Sequence, residues 1–460
     1  MRKIILVSTV LILAMSMFLA GCSSSKKADE PTTAASDKKG DVAATVAPNV
    51  DVAPTVAPKG DGKPTKVTLW TFQALHETFY KSIVKNYNAA YPDKQIDLVT
   101  TVLPYDDMHS KLLIALQSGV GAPDLADIEQ TKYPNFLKGT PQLAELNDIV
   151  EPLKSNLVMS RLDMYAKNGK YYGIDFHVGA AVIFYNKEIL AKANVNPDDI
   201  KTWADYEVAG KKVLAATGKP MGTVETSDKW SFWPLITQQK SDLIDKDGKI
   251  ILDNDINIKT LQFLQKLEKE KVLLAAPGGG HHTEEYFGFM NKGGAASVWM
   301  PFWYAGRFTD SMPDLKGKMI VRPMPAWEAG GSRSAGMGGT GTSVIASSKV
   351  IPLAKNFLAY AKLSKEGNIE IWKQLGFDPI RSDVWDDPAL KEPNKFTDYF
   401  GTDLFSTVVK IKNEIEPVNI TDKTPAVGDA VNTKALPQIL GKDQKDPATV
   451  LKAVADELRK

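Results

Sequence analysis

The 460-residue sequence predicts an α/β protein of two lobes. Three observations lead there: a βαβαβ alternation that opens the folded body, a second alternating stretch from Gly179 onward, and amphipathic stripes that persist to the C-terminus. Residues 66–72 read as a buried strand, and Leu75, Phe79, Ile83, Tyr87 and Tyr91 then recur every fourth residue, as on one helical face. A second strand over 94–103 precedes a stripe of Met108, Leu112, Leu113 and Leu116 that stops at Gly119, and 124–129 gives a third strand. Such alternation implies parallel strands with helices on both faces and a ligand beyond the strands' carboxyl ends. Those ends place Phe72, Gln73, His76 and Glu129 on a candidate wall, with loop exposure as the competing reading.

The second region starts with a strand over 182–185 and continues through a helix that Thr202 caps, with Asp205 at the capping-box position. Helical stripes of Leu353, Phe357 and Ala361, then of Val450, Val454 and Leu458, carry order to the end. The apolar content of 43% suffices for two large cores. A formal charge of +1 with no basic stripe excludes nucleic acid as a partner. Cys22 is the one cysteine, so nothing downstream can form a disulfide or a thiolate metal site.

Arg2 and Lys3 precede an uncharged apolar run over 4–20, the pattern of a targeting segment at the short limit for a membrane span. It ends in Leu19-Ala20-Gly21-Cys22, which resembles the lipobox of bacterial lipoproteins. The resemblance implies a signal peptide over 1–21 and lipid on Cys22, whose two thioether-linked chains satisfy the two-chain requirement for stable anchoring. The chain is therefore expected outside the cytoplasm, on the outer face of the cell membrane. Residues 23–65 lack aromatics, Leu, Ile and Met, and 41–50 nearly repeats in 51–60; with Cys22 they read as a disordered tether.

The body carries Ser118-Gly119 followed by Pro123-Asp124-Leu125, then Gly169-Lys170-Tyr171-Tyr172-Gly173-Ile174, Phe184-Tyr185-Asn186-Lys187 and Gly293-Gly294-Ala295-Ala296. In this order and spacing they resemble the solute-binding proteins of ABC sugar importers, the class that includes maltose-binding protein, over 66–460. Where that class usually has Pro after Tyr-Gly-Ile, this chain has Asp175. The segment from there to Gly179, with Gly278-Gly279-Gly280-His281-His282, Met337-Gly338-Gly339-Thr340 and Phe377-Asp378-Pro379, resembles the arabino-oligosaccharide-binding lipoproteins of Gram-positive bacteria.

The resemblance implies a periplasmic-binding-protein-like fold, each lobe a mostly parallel sheet flanked by helices and the two joined by hinge segments. Lobe 1 would hold 66–177 and 326–377, and lobe 2 would hold 178–325 and 378–460. It also implies an oligosaccharide ligand, short α-1,5-linked arabinan fragments for the narrower match, and permease transmembrane subunits with a cytoplasmic ATPase as partners. A monomer is expected, with no catalysis, cofactor or metal.

A sugar offers hydroxyls on its edges and C–H groups on its faces, so its site combines aromatic plates with carboxylate, amide and guanidinium groups. Trp230, Trp233, Trp299 and Trp303 are the candidate plates, with core packing as the alternative, stronger for Trp233 and Trp299. By resemblance Asp175 and His177 lie where the chain crosses between lobes, and Asp378 and Arg381 lie at a second crossing. Asp175 is expected to meet sugar hydroxyls, whereas an interlobe salt bridge is the equal alternative for Asp378 and Arg381. Gly339 is the candidate for close backbone approach to a sugar.

Gly336, Gly338 and Gly341 match a dinucleotide fingerprint, but no helix pattern follows directly. Adjacent His281 and His282 lack the spacing of a zinc pair and read as loop or cleft rim. Residues 245–248 and 253–257 read as turns, since Ile258 and Leu264 stand where a calcium loop needs Gly and Glu. Two other functions remain open on sequence: an extracellular glycosidase with paired carboxyl groups, and a binding protein for a peptide or polyol.

Overall fold

A computed structural model describes residues 63–460. The signal, Cys22 and nearly all of the tether expected from sequence lie outside the described residues. Among the described residues no helix is long and apolar enough to cross a membrane.

The first sheet is built as the alternation requires. Strand β1 (Thr65–Thr71) pairs in parallel with β2 (Ile96–Val102) on one side and with β3 (Leu125–Glu129) on the other. Helix α1 (Ala74–Ala90) buries Phe79, Tyr80, Ile83 and Tyr87, while Leu75 and Tyr91 pack at the edge of the same core. Helix α2 (Tyr105–Ser118) buries Met108, Leu112 and Leu116 and ends on Gly119 at φ 70°, a left-handed cap that glycine adopts without Cβ strain.

The second sheet is centred on β4 (Ala181–Asn186), buried along its whole length. It lies between β5 (Ser297–Pro301) and β6 (Met319–Pro323), antiparallel to both. A mostly parallel sheet was expected here; among the described residues the parallel pairs of this half lie outside this sheet, in Gly222–Val224 with Leu273–Ala275, Ser334–Ala335 with Ile415–Glu416 and the single bridge of Thr202 with Ala326. The cause is where each strand enters. Strands of βα units run toward the cleft, but a strand fed from a crossing segment starts there and runs away. The same holds for β7 (Thr340–Val344), which enters the first sheet after the return crossing and pairs antiparallel with β3.

Each sheet has its own cores. Val67, Leu69, Phe79 and Phe357 lie in one, with Phe357 on helix Ile351–Leu363; Ile183, Trp203, Trp233 and Trp299 lie in another. Ala335 and Met337, expected in lobe 1, pack with that second group, so the chain rejoins the first sheet only near Thr340. Helix Trp203–Thr217 begins with the foreseen capping box, Thr202 accepting the Asp205 N–H and Asp205 accepting the Thr202 N–H. Residues 253–257 are not a free turn: Asn254 caps a helix, Asp255–Lys269.

Candidate functional site

A cleft of about 520 Å³ opens where the carboxyl ends of the first sheet face the second. That volume suits a small ligand. Its first wall is made by Phe72, Gln73 and His76 after β1, Tyr105 at the start of α2, and Glu129 at the end of β3. Glu129 Oε2 accepts the Tyr105 hydroxyl at 2.9 Å, the Thr131 N–H at 2.9 Å and the Thr131 hydroxyl. Burial pushes the Glu129 carboxyl up, against these hydrogen bonds and the Lys229 charge. Behind it, His109 Nε2 accepts the Glu129 N–H at 3.0 Å, and Nδ1 lies 2.6 Å from the Tyr105 carbonyl. The acceptor role of Nε2 assigns the proton to Nδ1, and burial keeps this ring neutral by pushing it down to about 4.

The His76 ring lines the cleft but is almost wholly buried. It stacks on Phe176 at 4.4 Å, and its Nδ1 is 3.2 Å from Asp127 Oδ2. Burial pushes Asp127 up, but the His76 imidazole, the Lys362 charge and the Thr342 hydroxyl outweigh it and hold the carboxyl at about 2. Lys362 is itself buried, 3.2 Å from the Phe176 ring centroid, and burial pushes it down to about 7.

The second wall is aromatic. Trp230 and Trp303 meet at 5.4 Å and 84°, and His282 lies nearly parallel to Trp303 at 5.6 Å. The Trp230 N–H donates to Asp228 Oδ2 at 3.0 Å and the Trp303 N–H to the Met337 carbonyl at 3.1 Å. With both donors engaged inside the protein, what the rings have left to offer is their faces. Asp228 Oδ1 also accepts the Asn432 amide at 3.1 Å. Lys229 lies 5.4 Å from the Trp230 and Trp233 ring centroids and completes the rim with Arg307.

The floor is the crossing backbone, with His177, Gly339 and Phe377 lining it. Gly339 has φ 159°, and a Cβ there would lie 2.4 Å from the Arg161 guanidinium and 2.6 Å from the Asp175 carboxylate, so only glycine fits. Burial pushes the His177 ring down to about 3, leaving it neutral.

Thus eight of the expected site residues line one cleft: Phe72, Gln73, His76, Glu129 and His177, with Trp230, Trp303 and Gly339. Five do not, each being buried away from it. Asp175 is fully buried beneath the floor; it accepts Arg161 at 2.8 Å, the Tyr165 hydroxyl at 2.8 Å and the Thr340 N–H at 2.9 Å. Burial pushes it up, and the Arg161 charge with the Thr340 N–H overcomes this and holds it below the usual carboxylate range. Trp233 donates to Asp242 and Trp299 to the Ser231 carbonyl, both inside the core. Asp378 accepts the Gly179 and Ala180 N–H groups at the hinge. Arg381 pairs with Asp383 and donates to the Leu363 carbonyl.

Tyr105, Asp228, Lys229 and Arg307 line the cleft and were not foreseen as site residues, and His282, expected on a loop or the cleft rim, lines it too. Tyr105 was findable, since it follows β2 as Phe72 follows β1; the others sit on loops and a helix whose folding no periodicity gives. Among the described residues no group of three or more His, Cys, Asp or Glu side chains is placed to hold a metal ion.

Residues 70–368 match the family of bacterial extracellular solute-binding proteins. The chain belongs to that family. It is 49% identical over 462 residues, covering all of both chains, to the arabinooligosaccharide-binding protein of Bacillus subtilis (strain 168). It is 47% identical to the protein of the same name from Halalkalibacterium halodurans, over 86% of this chain and 89% of that one. The fold matches the ABC transporter associated binding protein from B. animalis subsp. lactis Bl-04, in complex with β-1,6-galactobiose, with TM-score 0.70 and 24% identity. That match covers 86% of this solute-binding protein and 97% of the other chain.

Proposed function

We propose that this solute-binding protein is the lipid-anchored, extracytoplasmic receptor of an ABC importer, and that it captures short arabino-oligosaccharides and hands them to the permease. One observation carries the reading: a two-walled cleft in which two indole N–H groups are spent on the protein, leaving ring faces opposite a hydrogen-bonded carboxylate. Apolar faces against polar edges is the pattern a furanose oligomer presents. The whole-chain identity to the Bacillus subtilis relative supports the ligand class. Closure about the crossing segments would bury both walls on the ligand and create the shape that a permease recognises. Lipid on Cys22 and a monomeric state belong to the same proposal.

No catalysis is part of it. Among the carboxyls that line the cleft, Glu129 and Asp228 each hold protein donors, whereas a glycosidase needs one poised to give a proton. Calorimetric titration of the full chain with arabinotriose, arabinotetraose, maltotriose and xylotriose tests the reading. Saturable binding of the arabinose oligomers in preference to the others, without product by chromatography, is expected. Preference for maltotriose or xylotriose would overturn the ligand, and released arabinose would overturn the binding role.

A further inference from the structure

The short strand Gly222–Val224 delivers Glu225 behind the aromatic wall, where its side chain is fully buried and does not line the cleft. Its Oε1 accepts the His281 backbone N–H at 2.8 Å and its Oε2 the Ser231 N–H at 3.1 Å, while its own N–H donates to Ser231 Oγ at 2.8 Å. Thr226 and Ser227 N–H groups add bonds to the Gly279 carbonyl at 2.9 and 3.0 Å. One carboxyl thereby ties loop 225–231 to loop 277–282. Each loop contributes one ring to the corner that Trp303 completes: Trp230 from the first and His282 from the second.

We propose that Glu225 is a positioning residue for the ligand: by joining these two loops it sets the angle between the Trp230 and His282 rings, and so the sugar subsite they form with Trp303. This deepens the proposed function and rests on it. Burial, reinforced by the neighbouring Asp228 charge, pushes Glu225 up to about 8, so at neutral pH it acts through its acceptor oxygens rather than as a counter-ion. Asp242 is the natural comparison in the same lobe. It too is a buried carboxyl accepting backbone N–H groups, from Leu243 and Asn419, but the indole it serves is Trp233, away from the cleft.

The experiment uses the full chain, with arabinotriose titrated by calorimetry, thermal melts, and ¹⁵N indole spectra of the ligand-free protein. Glu225→Gln keeps one acceptor and should weaken binding about ten-fold; Glu225→Ala, which keeps none, should weaken it further. In a Trp230→Ala background the Glu225→Gln change should fall to within about two-fold, because the ring it positions is gone. Asp242→Asn should lower the melting temperature with affinity within about two-fold of wild type. The indole signals of Trp230 and Trp303 should move in Glu225→Gln while those of Trp372 and Trp385 stay. Should Glu225→Ala not fold, Ser231→Ala removes the reciprocal bond and carries the same expectation in weaker form.

Wild-type affinity in Glu225→Gln, independent multiplication of its effect with that of Trp230→Ala, or an equal loss in Asp242→Asn would each overturn the proposal. If the wild type does not bind arabinotriose, the ligand reading falls alone. The indole signals still decide whether Glu225 sets the corner.

Discussion

The two walls of the cleft are held in different ways. On the first, polar side chains leave the ends of adjacent strands, and their positions are fixed by buried carboxylates: Asp127 against the His76 ring, and beneath the floor Asp175 paired with Arg161. On the second, rings sit on loops and a short helical turn, and their positions are fixed by hydrogen bonds from the indole N–H groups and by ring against ring. A strand end has little freedom, so a polar network can be precise there. A loop has more, and each of its plates needs a tether of its own.

If buried charge holds the first region, removing one partner should cost more there than any other single change. Arg161 and Asp175 are both buried, and Arg161→Met leaves the carboxylate uncompensated, for a loss of roughly 3–5 kcal/mol in urea unfolding. Adding Asp175→Asn should recover part of that loss. A single variant as stable as wild type would mean that the pair does not hold the floor.

The seam between the walls is tested by Asp378, whose carboxyl accepts the Gly179 and Ala180 N–H groups. Burial pushes it up to about 7 from an ordinary 3.8, so the native state keeps a proton that the unfolded chain releases across this window. Its contribution is therefore complete below about pH 4 and is lost as pH rises through 7. Asp378→Asn cannot titrate. The stability difference between wild type and variant should move in the variant's favour by roughly 2–4 kcal/mol from pH 4 to pH 8. A difference that stays flat over that range is the result that counts against it.

On the aromatic wall the effect should appear in affinity. Trp303→Ala removes a half-buried plate and its bond to Met337, and should weaken sugar binding by about 2–3 kcal/mol with only a modest fall in melting temperature. Trp233→Ala should do the opposite, costing roughly 3–5 kcal/mol of stability because that ring is core, while the folded fraction binds normally. Exchange of these two outcomes would place the plates wrongly.

The same contrast explains what could be read from sequence. Strand ends follow from periodicity, which groups Phe72, Gln73, His76 and Glu129, residues that do line one cleft, and the Thr202–Asp205 capping box marks a helix start. The run of the second sheet was not legible. Its direction depends on β4 entering from the crossing, a three-dimensional fact with no local signature. Residue type alone does not separate Trp303 from Trp299, four residues apart, because what differs is whether the ring is fully enclosed in the core or leaves a face on the cleft. Asp175 was expected at the ligand for a related reason: charge near a cleft needs donors, and here the protein's own backbone and Arg161 supply them first; Asp378, for which ligand contact and an interlobe salt bridge stood equal, instead holds two hinge N–H groups.

The smallest effect is the sharpest test of the first wall. Glu129 Oε2 already holds three donors, from Tyr105 and Thr131, so an amide can keep that oxygen in place and put its NH₂ at the Oε1 position. Glu129→Gln should therefore fold with a near-normal melting temperature. If Glu129 accepts a sugar hydroxyl through Oε1, the amide replaces a charge-assisted acceptor with a donor, and affinity should fall by about 1 kcal/mol, roughly five-fold. An unchanged affinity would leave the first wall as scaffolding for Tyr105 and Thr131 and put recognition on the aromatic side alone.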